Sequence, residues 1–534
     1  MRGWPAIAAG TALIAMPAAA QERGRGRVDV APYVEVGQLL DWDLRGGDAV
    51  TYTTLSAGID ASANTARVSA QASYRYQHNF SWDDAVGDDD LHLGLARVTA
   101  RVAPGVSVEA GGLATRTRSD IRGSAPGLIL GDRRNVSQLY SVYVGPSLAT
   151  SFGVLRVGAD YRIGYTKTTA PGADAAVTGQ PRLDYYDSSV GQVATARLGF
   201  APGTLLPVGL IASGGYERDD ASQLDGRYED AFGRVDALLP VSANVAVTAG
   251  VGYEKLTSSS RDPLRTAAGQ PVTDARGRFV TDPASPRRVD YRTDGLYYDA
   301  GVVWRPNRRT SVSAAVGRRY GSTTYTAQAS WAASSTVGVG VNLYDSVETF
   351  GHQLRENIGT LPTSFVTARD QFSQQFNGCV FGTSGAAPGS CLNSVLQSIT
   401  TATYRTRGLD AVVSATRGLT SYGLGGGYVS RKLFSRNSPG VSVYGLEDES
   451  YYAQAFLTRR LSPVSSVDLN AFVNYYDPAQ PSADGIWGYG ATGSYNRAFG
   501  RVSTAASVGL YSFKVGDLPS DLSAQAQLAA RYTF

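Results

Sequence analysis

The chain has 534 residues, including 61 Gly and 31 Tyr, and 43% of it is hydrophobic. Its formal net charge of +3 is too small to recruit nucleic acid. A mean hydropathy of −0.16, with no run of ~18 apolar residues after the N-terminus, excludes a bundle of membrane helices.

Residues 1–20 read as a signal peptide. Arg2 supplies the positive start, Ala6 to Ala15 the short apolar stretch, and Ala18-Ala19-Ala20 the cleavage site, with Gln21 as the new N-terminus. Residues 21–27 form a short periplasmic N-terminus carrying Arg23, Arg25 and Arg27. From 28 to 534 one pattern recurs: 10 to 15 residues that alternate apolar with small or polar ones, a short turn, a second such segment, then a longer polar loop. Alternation puts one row of side chains on each face of a strand. Val68, Ala70, Ala72, Tyr74 and Tyr76 alternate with Ser69, Gln71, Ser73, Arg75 and Gln77. Val245 to Tyr253 and Val467 to Tyr475 repeat the pattern. The last segment sets Ala524, Ala526, Leu528, Ala530, Tyr532 and Phe534 against Gln525, Gln527, Arg531 and Thr533.

Tyr76, Tyr165, Tyr216, Tyr253 and Tyr475 close apolar rows at their loop ends. An apolar band capped by aromatic rings suits a lipid-facing wall, because the ring sits at headgroup depth. Short turns contain Ala63-Asn64-Thr65, Pro104-Gly105, Ser242-Ala243-Asn244, Ser462-Pro463 and Phe499-Gly500. Long loops cover roughly 121–135, 168–184, 257–289, 350–400 and 435–448. The fold expected is all-β: a transmembrane antiparallel up-and-down β-barrel of about 22 strands, spanning residues 28–534. No plug domain is expected, because the strands begin too early for the N-terminal plug that 22-stranded siderophore receptors carry. The lumen is then wide and either loop-filled or open.

Strand parity points Arg67, Arg75, Arg97, Arg101, Arg156, Asp160, Arg162, Arg197, Arg234 and Asp236 inward, as candidate lumen lining. Arg156 with Asp160 and Arg234 with Asp236 are spaced to pair. Such a row makes either a polar pore of weak anion preference or a self-neutralised, stiffened wall. Cys379 and Cys391 invite one disulfide in an oxidising compartment. They sit in the longest loop, 350–400, which either folds inward as a constriction or caps the barrel from outside. Leu392 to Ile399 within it suggests a short helix. The acidic run Asp83, Asp84, Asp88, Asp89 and Asp90 reads as a rim loop that meets lipopolysaccharide through shared cations. The three His, at 78, 92 and 352, lack metal-ligand spacing, and no nucleophile or phosphate-loop motif is present, so no catalytic residue, metal or cofactor is expected. Of 49 basic residues only Lys167, Lys255, Lys432 and Lys514 are Lys.

Four stretches carry a resemblance: V-A-P-Y-V-E-V around Pro32, S-Y-R-Y-Q-H-N-F-S-W-D-D from Ser73, T-D-P-A-S-P-R-R from Thr281 and Q-F-N-G-C-V-F-G from Gln375. They resemble an uncharacterised family of bacterial outer-membrane barrels associated with exopolysaccharide and PEP-CTERM systems, some labelled preprotein translocase subunit YajC. That resemblance implies polysaccharide export components as partners. The terminal Tyr532 and Phe534 resemble the signal read by the barrel-assembly machinery. Together these readings predict a monomeric barrel in the outer membrane of a Gram-negative bacterium. It would serve as a channel or export conduit, or as a structural or adhesion barrel with a closed lumen and partner-binding loops.

Overall fold

The computed structural model describes residues 27–82, 88–118, 136–169, 186–275, 277–369, 372, 376–392, 396, 399–435, 445–478 and 484–534. The signal peptide, Asp83 and Asp84, and most of the loops at 121–135, 168–184 and 435–448 lie outside the described residues.

Twenty-two antiparallel strands form one sheet. The first, Arg27–Asp43, pairs with its successor Ala49–Asn64 and with the last strand, Asp521–Thr533, so the sheet closes on itself. Closure leaves no edge for lipid to meet, which is the condition for a sheet to span a membrane. The alternation decides which face is out. In the first strand Val28, Val30, Val34, Val36, Leu40 and Trp42 are exposed, while Tyr33 and Leu39 between them are buried. A closed barrel with apolar residues outside and polar ones inside is an outer-membrane architecture.

Aromatic rings mark both water boundaries. Phe152, Trp304, Trp331, Phe499 and Phe534 stand exposed at the rim of short turns and chain termini. Towards the opposite rim, Tyr428, Tyr451, Tyr475 and Trp487 are direct partners across four strands, with ring centroids 4.6–6.2 Å apart. The wall is not uniform. The first two strands pair at sixteen positions, but Ser322–Ala332 and Val337–Glu348 pair only from Ala327 to Ala332.

The expectation of a plugless barrel is overturned. After Val337–Glu348 the chain does not turn outward but enters the lumen, and it rejoins the wall only at Thr403–Arg417. Between them lie helix α1 (Phe350–Thr360) and a three-stranded sheet of Phe365–Arg369, Phe376–Ser384 and Ala387–Cys391. An internal segment thus occupies the lumen. The segment also holds a helix that the sequence does not suggest, α1. Only Leu392, Leu396 and Ile399 of the expected helix are described, with one helix-type bond from the Leu396 N–H to the Leu392 carbonyl.

Candidate functional site in the barrel lumen

Helix α1 starts where Thr349 Oγ1 accepts the His352 N–H at 3.2 Å, a side-chain N-cap. Phe350, Leu354 and Ile358, four residues apart, form one stripe. All three are fully buried, against Leu95, Leu113, Leu139 and Tyr143 of the wall and Tyr404 opposite. The other face is ionic. Arg355 reaches the wall to donate to Thr166 Oγ1 at 3.1 Å and pairs with Asp219 at 3.2 Å. Asp219 also accepts from Thr349 Oγ1, so one wall carboxylate holds the helix start twice. Arg355 can pass there because residue 191 is Gly, where a Cβ would overlap the guanidinium.

Two sequence-nominated arginines hold the far end of α1. Arg97 donates to the carbonyls of Gly359 and Leu361, and a cation at a helix C-terminus is favourable. Arg97 also pairs with Glu109 at 2.9 Å. Arg162 pairs with the same Glu109 at 2.6 Å and with Glu356 of α1 at 2.7 Å. Arg97, Glu109 and Arg162 thus form one latch.

Beyond α1 the segment reaches the rim of short turns twice. Thr363 Oγ1 meets Ser69 Oγ at 2.7 Å. Gln71 then imitates a strand partner, donating to the Phe365 carbonyl at 2.8 Å and accepting its N–H at 2.7 Å. The hairpin descends again until the Gly385 N–H meets the Ser335 carbonyl at 2.9 Å, in the turn between two wall strands. Cys379 and Cys391 face each other in its register and form a disulfide. Its sulfurs lie flush against Gly425, where a Cβ would sit 2.7 Å from Cys379 Sγ.

The remaining nominated residues fall into two groups. Arg75 is buried and pairs with Glu35 at 2.7 Å, which also takes Arg531. Arg234 pairs with Asp236 and, through both terminal nitrogens, with Asp299. Arg67, Arg101, Arg156 and Arg197 are instead exposed at the rim of short turns, and Arg67 sits in a turn rather than on the lumen wall. Arg156 does not pair with Asp160 among the described residues, since four residues along a strand span roughly 13 Å. Tyr532 and Phe534 point outward with their rings 5.2 Å apart. The contacts of His352, Arg355 and Glu356 escaped sequence reading. The signal that could have found them is the stripe Phe350, Leu354, Ile358 in a loop otherwise read as polar.

Two cavities flank the segment. One of about 460 Å³ opens towards the short-turn rim, lined by Tyr33, Glu35, Arg75, Asp468, Asn496 and Arg531. The other, about 80 Å³, lies on the long-loop side, where Thr349, Phe350 and Thr403 at the segment's two ends face Asp219, Gln223 and Tyr228. Among the described residues no group of three or more His, Cys, Asp or Glu is arranged to hold a metal.

His352 makes the docking of α1 pH-dependent. Burial acts to lower its pKa, but Glu217 at 2.6 Å, with Glu348 and Glu356 behind, outweighs burial and raises it to about 9. A free imidazole titrates near ~6.5. The charged pair therefore contributes in full below that value, and its contribution is lost as pH rises through about 9. Amide exchange in α1, corrected for its intrinsic pH dependence, should be slow at pH 6 and accelerate above pH 9. His352→Gln should remove that step, and an unchanged profile in the variant would rule the pair out as its source.

No family model and no curated protein matches this chain. Among solved structures it aligns with the ferric-catecholate import receptor Fiu of E. coli K12 in its closed form, at 10% identity and a TM-score of 0.44, covering 96% of this chain and 82% of that one. It also aligns with the siderophore receptor PirA of Acinetobacter baumannii (9%, 0.43, 95% and 81%) and the FrpB iron transporter of Neisseria meningitidis (10%, 0.42, 95% and 82%). Likeness this low carries no ligand across. The expected family is nevertheless corrected: the neighbours are iron and siderophore receptors, not exopolysaccharide-linked barrels. The chain is an outer-membrane barrel.

Proposed function

We propose that the protein is a gated outer-membrane conduit for polar solutes, closed here by its own segment 350–402. The observation that carries this reading is the segment's path. It enters from the long-loop side, touches the opposite rim at Thr363 and Gly385, and separates two cavities, the larger of them polar. Much of its attachment is ionic, through Arg97, Glu109, Arg162, Arg355 and Asp219, groups that water can solvate once the lumen opens. A second reading, a permanently closed structural or adhesion barrel, draws support from the apolar cluster around Phe350, Leu354 and Ile358.

Planar-bilayer recording separates the two. The intact protein should be nearly silent, with brief openings. A variant with 351–401 replaced by a short turn, its folding checked by heat-modifiable gel mobility, should conduct continuously. An intact protein that never opens under any voltage or pH favours the closed barrel. A folded deletion variant that stays silent removes the conduit reading altogether.

A further inference from the structure

The short-turn rim, where both termini lie, carries a charge that the rest of the molecule does not answer. Arg67, Arg309, Arg417, Arg459, Arg497 and Arg501 are exposed there, in or beside five different turns. None has a carboxylate partner among the described residues. Several acids near this rim are already engaged: Asp29 with Arg27, Glu109 with Arg97 and Arg162, and Asp468 with Thr458 and Asn496. The collar lies level with the exposed rings of Phe152, Trp304, Trp331 and Phe499, and the Arg497 guanidinium sits 5.1 Å over the Phe499 ring. Such rings settle at headgroup depth.

Residue choice sharpens the point. All four Lys of the chain, at 167, 255, 432 and 514, fall in the halves of their strands nearer the long loops. Arg occurs at both rims, but the short-turn rim holds Arg and no Lys. Guanidinium binds phosphate through two parallel hydrogen bonds, whereas ammonium acts as a point charge.

We infer that this collar binds the phosphate headgroups of anionic phospholipid in the periplasmic leaflet. Its depth and facing decide between lipid and protein. Arg417, Arg459 and Arg497 continue the outward rows of Leu409, Leu457 and Tyr495, so they point towards headgroups rather than into the periplasm, where a docked protein would sit.

The test is native mass spectrometry of detergent-released protein equilibrated with equal amounts of dioleoyl phosphatidylglycerol and dioleoyl phosphatidylcholine. The folded protein should retain the glycerol lipid several-fold in preference, and raised salt should erase that preference. Arg417→Gln, Arg459→Gln, Arg497→Gln and Arg501→Gln combined should lose most of it. Equal retention of the two lipids, or a preference that survives in the folded fourfold variant, overturns the inference. Tight binding of a polyglutamate peptide without lipid preference overturns it too, and points to an acidic periplasmic partner. If the fourfold variant does not fold, the salt dependence of the unaltered protein decides.

Discussion

Arg431→Met should cost the barrel ~3–5 kcal/mol, because it leaves a buried carboxylate without its cation. Arg431 and Asp448 are 0% and 1% exposed and meet through two hydrogen bonds, of 3.0 and 2.6 Å. Asp448 also accepts from Tyr476 at 2.9 Å. The guanidinium lies 5.5 Å from the ring centre of Tyr404, whose hydroxyl donates to Gln353 of α1 at 2.7 Å. The pair thus ties the wall to the lumen segment as well as strand to strand. Urea unfolding in detergent micelles should show the loss. Adding Asp448→Leu should recover much of it, since removing both charges removes the unpaired one. A single variant as stable as the parent would show that Asp448 finds water or another partner, and that this network matters little.

Replacing both Cys379 and Cys391 with Ser should free the lumen hairpin while leaving the wall intact. A disulfide closing a loop of this size is worth ~3 kcal/mol in the chain-entropy picture. Here that constraint acts on a hairpin with few other long-lived anchors: the Cys379 N–H to Gln454 at 3.1 Å, the Phe381 ring 4.7 Å from that of Phe456, and the tip at Ser335. The variant should keep its heat-modifiable mobility, expose residues 376–391 to protease, and show more frequent channel openings. A hairpin that stays protected would mean that packing against Gly425 holds it without the covalent tie.

The wall was legible in the sequence because every strand obeys one rule. Val245 to Tyr253 and Val467 to Tyr475 face lipid at alternate residues, so strand number, closure and the aromatic boundary at the long-loop ends followed from period-two counting. The lumen was less legible, because a loop folded into a wet interior uses the same residues as a loop in solvent. Thr363, Gln71 and Ser69 look alike in either place. Parity placed Arg97 and Arg162 on the inner face but could not reveal that both converge on Glu109 and on α1. Arg156 and Asp160 show the limit of spacing arguments: neighbours in sequence on one face of a strand are still too far apart to touch. Pairing such as Arg234 with Asp299 depends on register between strands 65 residues apart, which no single segment encodes.

A zipper gives way where its teeth are fewest. With six matched positions between Ala327–Ala332 and Gly338–Leu343, that seam holds the least backbone bonding in the ring. The strand on its far side is the one from which Thr349 and α1 hang. Thermal breathing of the cylinder would begin there, and it would swing the upper anchor of the stopper sideways before any other stave loosened.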